Sequence, residues 1–109
     1  MSAYNIVRTS VACPECGDTS RQAIQFKFGD TWTYEYSIGD TLRWGGNDIG
    51  RPRLGKVLVA GTSEECLVCH TRGQAFSVRI ENDLVVGVEP APDGPPPVTN
   101  GELYLVVEE

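Results

Sequence analysis

Two Cys-x-x-Cys pairs, Cys13 with Cys16 and Cys66 with Cys69, constrain this chain more than any other feature, because they account for every cysteine it has. Four thiols at equal spacing supply the four soft donors that a tetrahedral metal site takes. Residues 17–65 lie between the pairs, so a shared site would join segments far apart in sequence and act as a cross-link. A chain of 109 residues buries only a modest core, and such a cross-link adds appreciably to its stability.

One structural zinc ion held by Cys13, Cys16, Cys66 and Cys69 is the expected use of these thiols. The spacing alone also permits a rubredoxin-like iron site, although rubredoxins repeat glycine directly after the second pair, where this chain has His70. A redox dithiol needs only one pair, and no βαβ pattern surrounds either. Two disulfides are the remaining alternative. Residues 1–10 contain no apolar stretch of signal-peptide length, so a reducing cytoplasm is expected and disulfides are disfavoured. No apolar run approaches the roughly 20 residues of a membrane helix.

The rest of the chain reads as mainly antiparallel β with little helix. Short runs of β-branched and aromatic residues recur between Gly, Asp, Asn and Pro, and no segment sustains a 3.6-residue apolar period. Strands are expected near 4–11, 21–28, 31–36, 56–60, 75–81, 84–88 and 102–107, in a single domain over 1–109. Ile24, Phe26 and Phe28 alternate before the Gly29-Asp30 turn, and Trp32, Tyr34 and Tyr36 alternate after it, which predicts a core hairpin. Phe76, Val78 and Ile80 form a matching stripe, followed by Asn82-Asp83, a two-residue turn into Leu84. Pro90, Pro92, Pro95, Pro96 and Pro97 predict an extended loop over about 90–100. Gly-Asp-Thr occurs at 29–31 and at 39–41, which reads as two similar turns and not as a repeat architecture.

In Cys13-Pro14-Glu15-Cys16-Gly17, a glycine after the second thiol suits a tight turn whose backbone N–H groups point at the sulfurs, and Cys66-Leu67-Val68-Cys69 repeats the spacing. With strands expected on both sides of each pair, the layout resembles a zinc ribbon. That resemblance covers the two knuckles and their arms, and it implies a structural zinc with four cysteine ligands; it implies no activity. The insert between the knuckles is longer than in compact ribbons. The run from Phe26 to Trp32, continuing through Gly39-Asp40 to Trp44-Gly45-Gly46-Asn47-Asp48-Ile49-Gly50, is similar to small bacterial zinc-ribbon proteins of no established function.

Charge limits the partners. The formal net charge is −6, and four thiolates with one dication make it about 2 charges more negative. General nucleic-acid affinity is therefore disfavoured. The charge is uneven: all nine Lys and Arg fall within residues 1–79, while residues 80–109 hold seven acids and no base. Segment 42–53 combines glycines with an aromatic and three arginines. It is the candidate partner-binding loop, through Arg43, Trp44, Asn47, Asp48, Arg51 and Arg53. Against this stands the reading in which Trp44 caps the core and the glycines serve turns. The glycines match no phosphate-binding fingerprint and lead into Pro52, not a helix.

His70 is the single histidine, expected to be exposed or beside the metal site, and four cysteines would leave a metal no open position for catalysis. Asp40 and Asp48 are carboxylates whose separation sequence does not give. The expectation is a non-enzymatic, zinc-stabilised β domain that binds another macromolecule, in the first place a protein. The alternatives are a nucleic-acid-binding zinc ribbon, with Trp32, Tyr34 and Trp44 as stacking platforms, and a rubredoxin-like electron carrier.

Overall fold

A computed structural model of the protein describes residues 4–91 and 104–109. The chain is mainly β: β1 (Asn5–Ala12), β2 (Thr19–Phe26), β3 (Gly29–Asp30), β4 (Glu35–Tyr36), β5 (Asp48–Ile49), β6 (Lys56–Ser63), β7 (Ala75–Glu81), β8 (Leu84–Pro90) and β9 (Tyr104–Glu108). No helix forms among the described residues, so none is long and apolar enough to cross a membrane.

The main sheet runs β4-β1-β2-β6-β7-β8, with β9 added to β6, and β3 and β5 form a separate short ladder. Pairing is antiparallel throughout except for β1 with β4. Two hairpins, β1–β2 and β6–β7, meet where Ile24 faces Ser63 and Phe26 faces Gly61. β9 continues that same flank of β6, with Val57 opposite Val106 and Val59 opposite Tyr104. After β4 the chain reaches the far edge of the sheet: the Gly39 N–H donates to Val85 O at 2.7 Å, and the Val85 N–H donates to Asp40 O at 3.0 Å. The sheet is thereby rolled until its two edges are stitched together.

Inside the roll lie Val7, Val11, Ile24, Phe26, Phe28, Tyr36, Val57, Val59, Phe76, Val78, Ile80 and Val85, all buried. Alternation puts them there, since every second residue of β2, β6 and β7 points inward. Gly61 is the exception that lets the layers close, because a Cβ there would stand 2.7 Å from Ile24 Cγ2. Gly50 is fixed doubly, by a left-handed φ of 81° and by the Phe28 ring, which any side chain would overlap. The Asn82-Asp83 turn is formed as the sequence predicts, with φ of 50° and 66° suiting a two-residue hairpin.

The hairpin expected at Gly29-Asp30 does not form. Gly29–Asp30 pairs instead with Asp48–Ile49, and only Glu35–Tyr36 of the expected strand 31–36 is strand, parallel to β1. Thr33 breaks the run with a left-handed φ of 57°. The physical reason is Asn5, which is completely buried. Its Nδ2 donates to Phe28 O at 3.0 Å and Asp30 O at 3.1 Å, and its Oδ1 accepts the Tyr34 N–H at 3.2 Å. One side chain thus satisfies backbone groups that a ladder would otherwise have to pair. Trp32, expected on the core face, is 67% exposed. Pro90 ends β8 opposite Phe76; the remaining prolines of the expected loop, and Glu102 of the last expected strand, lie outside the described residues.

Candidate metal centre

The turn between β1 and β2 carries Cys13 and Cys16, and the turn between β6 and β7 carries Cys66 and Cys69. Because β2 and β6 are antiparallel neighbours, both turns leave the sheet at the same end, side by side. Cys13 Sγ lies 3.7 Å from Cys69 Sγ and Cys16 Sγ lies 3.9 Å from Cys66 Sγ. All four sulfurs are within 4.8 Å of one another. All four are free thiols, separated far beyond the roughly 2.05 Å of a disulfide. Four convergent sulfurs from two separate hairpins form a cluster able to hold a metal ion.

The two turns share one backbone design. The Gly17 N–H donates to Cys13 O at 2.9 Å and the Cys13 N–H to Asp18 O at 3.0 Å; correspondingly, the His70 N–H donates to Cys66 O at 2.8 Å and the Cys66 N–H to Thr71 O at 3.0 Å. Gly17 and His70 occupy equivalent left-handed positions, with φ of 78° and 61°. Histidine is among the non-glycine residues that enter this region most readily. His70 thus does the work of the missing glycine with its backbone, while its side chain stays 70% exposed with Nδ1 3.6 Å from Glu65.

Backbone N–H groups inside the turns decide how readily each thiol ionises. The Cys69 and Val68 N–H groups outweigh burial and, with the Gln22 side chain, draw Cys66 down to about 6. The Cys16 N–H does most to lower Cys13, again against burial, helped by the Gln74 side chain. For Cys16 the Asp18 N–H acts to lower the value, yet burial and the neighbouring thiols of Cys13, Cys69 and Cys66 together push it up to about 12. Four thiols at this spacing resist ionising together, and a cation among them removes that conflict.

Two further residues complete the centre, and the sequence reading missed both. Gln74, just ahead of β7, donates from Nε2 to Cys13 Sγ at 3.1 Å. Gln22, in β2 and 2% exposed, helps to lower the Cys66 thiol, while its Nε2 donates to Ser20 Oγ at 3.4 Å. Each buried cysteine is therefore covered by an amide from the opposite hairpin. The available signal was symmetry: each glutamine stands shortly after the second cysteine of its own hairpin.

The candidate partner-binding residues do not gather into one patch. Arg43 is exposed, with its guanidinium 4.7 Å from the Tyr34 ring centroid. Trp44 is half-buried, packed edge-on against Phe28 at 5.5 Å and 81°, as the core-capping reading has it. Asn47 braces two loops, donating from Nδ2 to Thr31 O at 3.2 Å and from its backbone N–H to Asp30 Oδ1 at 2.9 Å. Asp48 Oδ1 accepts the Gly45 and Gly46 N–H groups at 2.9 and 3.4 Å. Arg51 pairs with Glu109, and the Arg53 N–H donates to the Asp83 carboxylate at 3.1 Å. Asn47 and Asp48 thus sit against the 30–34 loop, whereas Arg51 and Arg53 lie by the C-terminal residues and the β7–β8 turn.

No protein-family model, curated protein or solved structure matches the chain.

Proposed function

We propose that this protein is a non-enzymatic β domain of the zinc-ribbon kind, pinned by one structural zinc ion on Cys13, Cys16, Cys66 and Cys69, that acts in the cytoplasm by binding another protein. The convergence of the four sulfurs carries the reading. Zinc–sulfur bonds of about 2.3 Å in a tetrahedron place sulfurs about 3.8 Å apart; the Cys13–Cys69 and Cys16–Cys66 separations are 3.7 and 3.9 Å, and all four sulfurs lie within 4.8 Å. Zinc would link two hairpins that otherwise meet over a short seam. With four thiolates the shell is full and leaves no position for substrate.

Several other groups support a binding role over catalysis. His70 faces Glu65 at the rim of the cluster. Asp40 Oδ2 accepts the Ser37 N–H at 2.8 Å, and Asp48 is likewise engaged in capping a turn. These carboxylates hold loops in place. A net charge of −6 favours a protein partner over nucleic acid.

The test is metal analysis of protein purified without added metal, combined with denaturation before and after chelation under reducing conditions. One zinc per chain, lost together with much of the stability, is the expected result. Stoichiometric iron, or a metal-free chain of unchanged stability, rejects the zinc reading. Affinity capture comparing wild type with Arg43→Ala/Arg51→Ala addresses the partner; a stretch of single-stranded nucleic acid recovered in place of protein rejects that part.

A further inference from the structure

At the end of β1 remote from the cysteines, a hollow of about 320 Å³ is lined by Asp30, Trp32, Tyr34, Gly46 and Asn47. Trp32 stands in it with 67% of its surface exposed. Burying an indole is strongly favourable, so a fold that leaves one out does so against the hydrophobic effect. Here the outward setting is enforced by the backbone. Thr33 holds a left-handed φ of 57°, which is strained for a β-branched residue and persists only where the surroundings impose it. They do so from both sides: Asn5 Oδ1 takes the Tyr34 N–H at 3.2 Å, and the Thr31 N–H donates to Asn47 O at 3.1 Å.

The opposite wall is braced as firmly. Asp30 Oδ1 accepts the Asn47 N–H at 2.9 Å, and Asp48 ties down Gly45 and Gly46. Gly46 packs against Asp30, where a Cβ would stand in van der Waals contact, 3.4 Å from Oδ1. A ligand would meet a formed site and lose little ordering entropy in the protein.

The lining selects a charge. Indole and phenol faces are negative, and beside them sits the Asp30 carboxylate, so a cation is attracted and an anion repelled. The Tyr34 ring is already engaged by the Arg43 guanidinium at 4.7 Å, so Trp32 is the ring left for an incoming cation. The net charge of −6 draws basic partners toward the chain. We propose that this hollow binds a lysine or arginine side chain of a protein partner, with Trp32 packed on the cation and Asp30 paired with it. The assignment rests on the protein-binding reading above and moves the centre of the contact from Trp44 to Trp32.

Titration of the metal-loaded chain with a peptide alternating lysine and glycine, followed by tryptophan fluorescence, tests it. The expected result is saturable binding that weakens with salt, while a peptide alternating glutamate and glycine and a neutral oligosaccharide do not bind. Trp32→Ala and Asp30→Asn, which keeps the Oδ1 acceptor, should each weaken binding about fivefold or more, read for Trp32→Ala by calorimetry. Trp32→Phe should retain most of it, and Glu108→Gln/Glu109→Gln all of it. Absence of basic-peptide binding, binding of the oligosaccharide alone, or unchanged affinity in Trp32→Ala overturns the proposal. Unchanged affinity with a partner still captured rejects the hollow and leaves the protein-binding reading standing; failure of capture in both wild type and variants rejects that reading itself.

Discussion

The two ends of β1 both carry irregular backbone against the β core, and they hold it by different means. At the Cys13 end, two turns of the same design bring together four sulfurs that could hold one ion. At the Asn5 end, loops of unlike design are fastened by neutral and charged side-chain hydrogen bonds from Asn5, Asp30, Asn47 and Asp48. A metal-held end depends on four residues acting as a unit. A hydrogen-bonded end spreads the work, so single losses there should be smaller and local.

Substitution at the metal end should have the largest effect. Cys66→Ser is expected to lower unfolding free energy by several kcal/mol, because structural zinc contributes on the order of 10 kcal/mol of apparent binding energy in small peptides. Urea denaturation of zinc-loaded protein measures it, and a loss below about 1 kcal/mol would remove the distinction between the two ends. Next in size is Asn5→Ala, which strands Phe28 O and the Tyr34 N–H, while Asp30 O keeps the Trp32 N–H at 3.2 Å. At about 1 kcal/mol or more for each group left unpaired, a loss of about 2 kcal/mol is expected. Zinc content should not change.

Trp44→Ala should cost about 2 kcal/mol, less than a fully buried aromatic because Trp44 is half-buried. Trp32→Ala should stay within about 0.5 kcal/mol. Equal losses at the two positions would mean that Trp32 is packed, against the exposed setting described. Gln74→Leu returns to the metal end: removing the amide that meets Cys13 should weaken zinc binding about 10-fold, measured by chelator competition, and lower zinc-loaded stability by the linked amount of about 1.4 kcal/mol.

The smallest effect belongs to Tyr36, whose phenol burial raises above its ordinary 10, against the lowering influence of the Arg43 N–H it accepts. A raised folded value means that the neutral phenol stabilises the fold fully below about pH 10, and that this contribution is lost as pH climbs through the folded value. Tyr36→Phe should flatten that alkaline limb in a stability-against-pH series.

What sequence could reveal differed between the same two ends. The cysteine cluster was legible because metal coordination demands particular residue types at a fixed local spacing, and β7, β8 and the Asn82-Asp83 turn were legible because alternation and turn chemistry agreed there. Strand 31–36 was misread for the opposite reason. Trp32, Tyr34 and Tyr36 alternate convincingly, and nothing local announces that Asn5, far back in the chain, would take the hydrogen bonds a strand needs. Gln22 and Gln74 were passed over similarly: apart from their matching places after Cys16 and Cys69, an amide near a sulfur is defined by the neighbouring hairpin, not by its own segment.

The seam between the hairpins is short: it pairs Ile24 to Phe26 on β2 with Gly61 to Ser63 on β6, and the Glu64 N–H extends it by donating to Ala23 O at 2.9 Å. Each hairpin is a contiguous stretch that can form quickly, whereas joining them requires closing the long connection of residues 27–55. An ion clamped across the mouth of this seam would act chiefly on the rate of opening, since the join it secures forms late. Stripping the ion should therefore accelerate unfolding far more than it slows refolding, with amides along the seam losing their protection from hydrogen exchange before those within either hairpin.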